Sequence, residues 1–441
     1  LAFAARLRRD LLANRVLELH TLLRNRYLPP AKLRKLQESK LRAVIGHAYE
    51  NVPYYHTLFR SAGLAPQDIR TLEDLQQVPT TSKEALRAAG VEGALAKGVD
   101  PASCEVDLSS GSTGKPFACY HDAREAQTRT LVGFRALHTA GVRPWDRLAG
   151  LRPRSRPPSL MNRLGLYRSN SVSRLPTLED QIQQLKIIQP TVLRVAPSKL
   201  RAILHLVDYR LSEVVRPRIL ITSSEVLDEG LKRRVLADLD VEFFNFYVSR
   251  EFADLASDCR AHEGLHVNAD QLIIECLDHN GQPAAPGQPG AVVVTSLYGY
   301  VMPFIRFRLG DICTPIEGRC SCGSSFPLIS APLGRQDDVL RLPSGRILPT
   351  VNVGGPIITT VDSVDQFRLT QERLDHFVLQ LVLLKHPGEE VLDQVRRRVL
   401  QYLGEPVRLD VEIVDRLPED KGKFRRFISR VPQAASPDSQ G

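Results

Sequence analysis

No stretch of this chain approaches the roughly 20 apolar residues that a membrane-crossing helix needs, although 43% of its 441 residues are hydrophobic. That absence excludes a helical membrane span and leaves the apolar residues for a core. Blocks of one charge sign are also missing. Lysine and arginine outnumber the acids 59 to 50, but arginine is spread along the chain. Aromatics make up only 6%, and no stripe of basic and aromatic residues forms, so nucleic-acid binding would rest on charge alone and is not expected. A multiply phosphorylated small ligand accounts for the net +9 at least as well, and so does plain solubility. A chain with a core of this size needs no disulfide staple, and its seven cysteines suggest no such framework. The opening Leu1–Ala5 is a short apolar run with Arg6, Arg8 and Arg9 behind it. That order is wrong for a signal peptide, and the expected compartment is the cytoplasm.

What is present is concentrated in one run, Asp107-Leu-Ser-Ser-Gly-Ser-Thr-Gly-Lys-Pro-Phe117. Gly111 and Gly114 allow positive φ and close approach of the backbone to a ligand. Ser109, Ser110, Ser112 and Thr113 supply hydroxyls, and Lys115 supplies a point charge. Such a loop suits a polyphosphate wrapped by backbone N–H groups and a lysine. It is not a Walker A loop, which needs four residues between its glycines and Ser or Thr after the lysine. Here two residues separate the glycines, and Pro116 follows Lys115.

Around this loop the pattern is ordered. Leu and Ala recur at helical spacing from Arg6 to Leu23 and from Leu33 to Tyr49, with Pro29-Pro30 between them. Thr81 or Ser82 is placed to cap a helix through Leu86. Helices are then expected at 123–139, 177–188, 199–207 and 229–236. Strands are expected at 147–151, 192–195, 218–221 and 241–246. This alternation implies α/β architecture, a mostly parallel sheet covered by helices. Strands at 271–277 and 291–296, joined through Asn280-Gly281, suggest an appended antiparallel β unit. Beyond Gly334-Arg-Gln-Asp-Asp338, strands at 377–384 and 408–414 flank an amphipathic helix at 389–403. The expected organisation is a large N-terminal domain over 1–336, a small mobile C-terminal α+β domain over 337–431, and a polar, disordered tail over 432–441.

Placed in this order, the motifs resemble the adenylate-forming ligase superfamily, and within it the phenylacetate-coenzyme A ligases and the CapK-like proteins. The resemblance runs from Leu41–Tyr55 and Leu72–Lys83 through Ser109-Ser-Gly-Ser-Thr-Gly-Lys-Pro116 and Thr222-Ser-Ser-Glu225. It continues through Met302-Pro-Phe-Ile-Arg-Phe-Arg-Leu-Gly-Asp311 and Gly334–Asp338 to Gly422-Lys423. It implies an AMP-forming ligase that uses ATP, Mg²⁺ and coenzyme A. A small carboxylic acid is converted to an acyl-adenylate with loss of pyrophosphate, and coenzyme A thiol then takes the acyl group. By resemblance, Ser109, Ser110, Gly111, Ser112, Thr113, Gly114 and Lys115 would hold phosphates, with Ser224, Glu225 and Tyr247 nearby. Asp311 would accept from the ribose hydroxyls, Arg335 would add contacts to ribose and phosphate, and Glu251 would hold Mg²⁺. Lys423 would meet the developing charge during adenylation, and Asp337 or Asp338 would be the hinge. The family often dimerises.

Two departures stand out. The family's Tyr-Gly-x-(Ser/Thr)-Glu is here Tyr247-Val-Ser-Arg-Glu251. Val248 replaces the glycine and Arg250 the hydroxyl residue, so Arg250 either substitutes a charged donor at the α-phosphate or points away from an altered site. Leu342-Pro-Ser-Gly-Arg-Ile-Leu-Pro349 resembles the CapK-like branch, which puts phenylacetate itself in question. Two rival readings follow: transfer of the adenylate to an amine to give an amide, and a catalytically weak nucleotide-binding relative. Among the cysteines, Cys320-Ser-Cys322 and Cys259 near His262 and His266 suit tetrahedral zinc. Some relatives carry a structural zinc in this neighbourhood, and the expected ligands are Cys259, His266, Cys320 and Cys322, with His262 and Cys313 in reserve. Cys104, Cys119 and Cys276 are expected in the core.

Overall fold

The computed structural model describes residues 16–109, 116–151, 165–172, 175–227, 229–336, 339–350, 364–383, 388–417 and 425–431. Past a helical stretch over 16–25, prolines set the next two helices. Pro30 opens α1 (Pro30–Asn51) and Pro53 opens α2 (Pro53–Ser61), at the position where a missing N–H costs nothing. Of the two candidate caps for α3 (Lys83–Ala88), Ser82 takes the role, its Oγ accepting from the Ala85 N–H at 3.1 Å. Thr81 instead bridges to Phe307.

Strands β1 (Glu105–Ser109) and β2 (Phe117–His121) pair antiparallel with Ser109 opposite Phe117. They are the stem of the Ser/Gly run, whose residues Ser110 to Lys115 lie outside the described ones. Asp122 then caps α4 (Ala123–Thr139) by accepting from the Glu125 N–H at 2.6 Å.

The chain next builds β3 (Arg147–Leu151), β4 (Arg168–Ser171), α5 (Leu178–Ile188), β5 (Val192–Val195), α6 (Pro197–Leu206), β6 (Ile219–Ser223), α7 (Glu229–Asp238) and β7 (Glu242–Ser249). Helix α6 begins two residues before the expected Lys199 because Pro197 can occupy its first turn. Strands β4, β3, β5, β6 and β7 lie parallel in that order. Strand β6 is buried at every position, as a parallel strand covered on both faces must be. Past β7 the same sheet turns antiparallel through β8 (Ala253–Ser257), β9 (Leu265–Val267), β13 (Pro315–Ile316) and β14 (Leu328–Ile329), in the spatial order β7-β8-β9-β14-β13.

The expected antiparallel unit is a sheet of its own. Strands β10 (Leu272–Leu277), β11 (Gly290–Ser296), β12 (Phe307–Cys313) and β15 (Gly334–Arg335) pair in chain order. After a short hairpin of β16 (Val339–Arg341) and β17 (Ile347–Pro349), a third sheet forms. It contains β18 (Val364–Arg373), β19 (His376–Leu383), β20 (Arg408–Ile413) and β21 (Phe427–Ser429), in the order β20-β19-β18-β21. Helix α8 (Glu389–Leu403) packs Val395, Val399 and Leu403 against it and ends at Gly404, whose φ of 67° closes the last turn. Asp337, Asp338, Lys423 and the tail lie outside the described residues.

Among the described residues, a buried ionic contact joins the third sheet to the helices that cover the first. Asp365, fully buried in β18, accepts from Arg201 at 2.7 Å, from His205 at 2.8 Å and from Arg234. Arg201 and His205 lie on α6 and Arg234 on α7. Among the described residues no helix is long and apolar enough to cross a membrane.

Candidate functional site

The carboxyl end of β7 is where the site is built. In a sheet of this kind, ligands gather outside the carboxyl ends of the parallel strands. Strands β7 and β8 pair as far as Ser249 opposite Ala253. Arg250, Glu251 and Phe252 therefore make a tight turn, with Tyr247 just before it. Tyr247 is buried, and its hydroxyl donates to Asp311 Oδ2 at 2.8 Å. Burial raises its pKa well above the usual phenol value, and the neighbouring Asp311 carboxylate adds to the effect, so it stays a donor.

Asp311 is held from a second side by Arg335, whose Nη1 donates to Oδ1 at 3.2 Å. The two residues are register partners on β12 and β15. Gly310 is required for this approach: its φ is +83°, and a Cβ there would sit 3.0 Å from Arg335 Nη2. A carboxylate offers about four acceptor positions, so Asp311 keeps capacity for two hydroxyl donors after both contacts. Tyr247, Asp311 and Arg335, distant in sequence, form one chain of contacts.

Glu251 is buried, with only 3% of its side chain exposed, and the Lys83 ammonium lies 2.9 Å from its Oε1. Burial would raise the Glu251 pKa, but the Lys83 charge outweighs it and holds the carboxyl below its ordinary value. A carboxylate oxygen can accept from more than one partner, so the Lys83 contact leaves Oε1 room for a second ligand. A buried carboxylate oxygen with free acceptor capacity fits an oxygen-seeking divalent cation.

The same turn is clamped from behind by a residue that sequence reasoning missed. Arg129, buried on α4, donates to the carbonyls of Glu251 at 2.8 Å and Arg250 at 2.7 Å, and to Asp107 Oδ2 at 3.2 Å. Asp107 lies on β1, two residues before Ser109, so this guanidinium ties the turn to the root of the Ser/Gly loop. The network extends to His121, which lies 3.5 Å from Asp107 and 3.1 Å from Glu125. The Arg250 side chain is exposed; its carbonyl is what the network uses.

The remaining site candidates are placed as follows. Ser109 is buried at the end of β1. Ser224 follows β6 with φ of 77°. Glu225 accepts from Ser198 N at 2.8 Å and from Ser198 Oγ at 2.9 Å, so it serves the first turn of α6. Phe244 and Phe246, just before Tyr247 on β7, are fully buried in the sheet core.

Cys259, His266, Cys320 and Cys322 do come together, their ligand atoms all within 4.8 Å of one another. The pairing of β9 with β14, which sets His266 opposite Leu328, brings the two stretches side by side. Cys259 Sγ lies 3.5 Å from Cys320 Sγ, and Cys322 Sγ lies 3.3 Å from His266 Nε2. Tetrahedral zinc, with Zn–S about 2.3 Å and Zn–N about 2.05 Å, needs edges of about 3.8 Å and 3.6 Å. A disulfide needs about 2.05 Å, and all of these thiols are free. Burial lowers the His266 pKa to about 4, which keeps the ring neutral as a metal ligand must be. Its Nδ1 faces the Phe326 carbonyl at 3.4 Å, leaving Nε2 toward the cysteines. Arg26 Nη2 is 4.0 Å from Cys322 Sγ and would offset the net −1 of Zn²⁺ with three thiolates. Of the reserves, His262 pairs with Asp258 at 2.7 Å, and Cys313 is buried in the apolar core of the second sheet. Cys119 and Cys276 are buried as expected, whereas Cys104 is partly exposed.

No family model matches the chain. It is 26% identical over 445 residues to a phenylacetate-coenzyme A ligase of Thermus thermophilus, covering 91% of this chain and 97% of that one. It is 20% identical over 410 residues to protein CapK of Staphylococcus aureus, covering 89% and 88%. A crystal structure of 2-hydroxyisobutyryl-CoA ligase, in the postadenylation state with an acyl-AMP, superposes with a TM-score of 0.77 at 20% identity, covering 92% of this chain and 91% of that one. The fold is that of the adenylate-forming ligases.

Proposed function

We propose that this chain, built on the adenylate-forming fold and similar over nine-tenths of its length to phenylacetate-coenzyme A ligases, activates a small carboxylic acid with ATP and passes the acyl group to coenzyme A. A carboxylate oxygen attacks the α-phosphorus and pyrophosphate leaves. The thiolate of coenzyme A then attacks the acyl carbonyl and AMP leaves. The observation that carries this reading is the meeting of Tyr247, Asp311 and Arg335 beside the turn that buries Glu251.

In this scheme Asp311 accepts from both ribose hydroxyls while Tyr247 and Arg335 fix its orientation. Glu251 would hold Mg²⁺, which when bound supplies charge neutralisation at the phosphates. Ser109 and the run to Lys115 would grip the pyrophosphate that leaves, a task of positioning and electrostatics. Lys423 would approach the α-phosphate from a C-terminal domain of residues 337–431 that turns about Asp337 or Asp338. The cysteine–histidine quartet would hold a structural zinc that pins β9 to the 320–322 loop. Thiols kept free in this way suit a reducing compartment, and the cytoplasm is part of the proposal.

The test is ATP–pyrophosphate exchange across a panel of carboxylic acids, followed by product analysis with coenzyme A or an amine present. Exchange with one acid and a thioester product support the reading. A chain that binds ATP and exchanges with no acid contradicts it, and an amide product without coenzyme A overturns the second half-reaction.

A further inference from the structure

Lys83 occupies an unusual place for a cation. It is the first residue of α3, where the helix dipole favours negative charge and disfavours positive. Its backbone is held firmly. Two residues upstream, the Thr81 N–H donates to the Arg306 carbonyl at 2.9 Å, and the Thr81 carbonyl accepts from Arg308 at 2.8 Å. Thr81 Oγ1 also donates to the Ile305 carbonyl at 2.9 Å. Lys83 is thus anchored next to β12, the strand that carries Asp311. Its side chain nevertheless stays 18% exposed, while Glu251 is 3% exposed. The ammonium therefore has an open side and its partner has none. Their contact at 2.9 Å brings one ammonium to Glu251 Oε1, and a carboxylate oxygen has acceptor capacity for more than one partner. The pair therefore leaves the buried carboxylate able to take another ligand.

We propose that Lys83 is a built-in counter-ion that occupies the divalent-cation position on Glu251 until a metal–nucleotide arrives, and then swings its ammonium toward the incoming phosphates. The inference rests on the proposed metal role of Glu251. It gives Lys83 two states. In the first it keeps a buried carboxylate from standing alone, which would be costly. In the second its charge is released where polyphosphate charge enters. The flexible four-carbon stem and compact charge of lysine suit such a move, and a planar guanidinium suits it less.

The consequence is competition. If the Lys83–Glu251 pair is closed about 90% of the time, apparent metal affinity is reduced about tenfold. The experiment is Mn²⁺ titration by electron paramagnetic resonance on the full chain without nucleotide, so that loss of the Lys83 charge from the phosphates does not offset the gain at Glu251. Stoichiometric zinc is kept present so that the cysteine quartet takes up no manganese. Lys83→Met should bind Mn²⁺ about tenfold tighter than wild type. Lys83→Arg should stay near wild type, and Lys83→Met/Glu251→Gln should lose the gain. Lys83→Gln, which keeps a polar head without charge, gives the same reading if Lys83→Met fails to fold. Unchanged or weaker Mn²⁺ binding in a folded, charge-removed variant overturns the proposal. If Glu251→Gln alone leaves Mn²⁺ affinity at the wild-type value, the metal assignment itself is wrong, and the proposal falls with it.

Discussion

Arg129→Met would remove one guanidinium that makes three contacts: the carbonyls of Glu251 and Arg250 at 2.8 and 2.7 Å, and the Asp107 carboxylate at 3.2 Å. Hydrogen bonds with a charged partner contribute about 1.5–3 kcal/mol each, but they are not additive within one network. The better guide is the removal of one partner from a buried ion pair, which costs about 3–5 kcal/mol. Urea unfolding at neutral pH should show that loss as a lower midpoint with an unchanged slope. The catalytic effect has a different signature. The clamp fixes the backbone that aims Glu251, so the KM for MgATP should rise and the exchange rate fall by at least about tenfold, about 1.4 kcal/mol, while the KM for the acid holds. Arg129→Lys keeps the charge, but one ammonium cannot span two carbonyls and a carboxylate, so it should restore stability more than exchange. A Met variant within about 0.5 kcal/mol of wild type, exchanging at the wild-type rate, would refute the clamp.

Plasma emission on protein purified without a His tag should find zinc at about one atom per chain, and Cys322→Ser or His266→Ala should abolish it; zinc-free protein of normal stability sinks the quartet. Tyr247→Phe removes the hydroxyl donated to Asp311 and should raise the KM for ATP about 3–10-fold, equivalent to about 0.5–1.5 kcal/mol. An unchanged KM for ATP would argue against ribose binding at Asp311. Asp365→Asn should cost about 3–5 kcal/mol at pH 7, because Arg201 and Arg234 lose their buried partner. Burial pushes the Asp365 pKa up, but His205, Arg201 and Arg234 outweigh it and hold the carboxyl below its ordinary value. Its stabilisation is therefore complete above the unfolded value near 3.9 and lost as pH falls through the lower folded value. The variant should have a flatter acid limb below about pH 4; an acid limb parallel to wild type would contradict this.

Much of the fold was legible because local signals agree with one another. Helices at 123–139 and 389–403 and strands at 147–151 and 192–195 match the observed bounds. For the helices the apolar period, a cap residue and the length point the same way, as with Asp122 ahead of α4 and Gly404 behind α8; for the strands a short apolar run does. What could not be read was the pairing of distant strands. Nothing local in Leu265-His-Val or Pro327-Leu-Ile says that they lie side by side, yet that pairing assembles the cysteine–histidine quartet. The same holds for Asp311 and Arg335, whose order along the chain came from the family resemblance but whose contact depends on β12–β15 register and on Gly310.

Lys83 and Arg129 escaped notice for a different reason. A charged residue on an amphipathic helix reads by default as part of its solvent face. Helix α4 carried a signal against that reading: Glu125 and Arg129 are four residues apart, and Val132 and Ala136 continue the same stripe. All four are buried. When acidic and basic residues extend the apolar stripe of a helix, that end of the helix faces a polar interior, and burial of both charges requires partners there. In this chain those partners are His121 for Glu125, and Asp107 with the carbonyls of Arg250 and Glu251 for Arg129. The sequence could therefore have pointed to a buried ionic site behind the Ser/Gly loop. It could not have said that the site holds the backbone of Glu251, because that depends on the β7–β8 hairpin folding back onto α4.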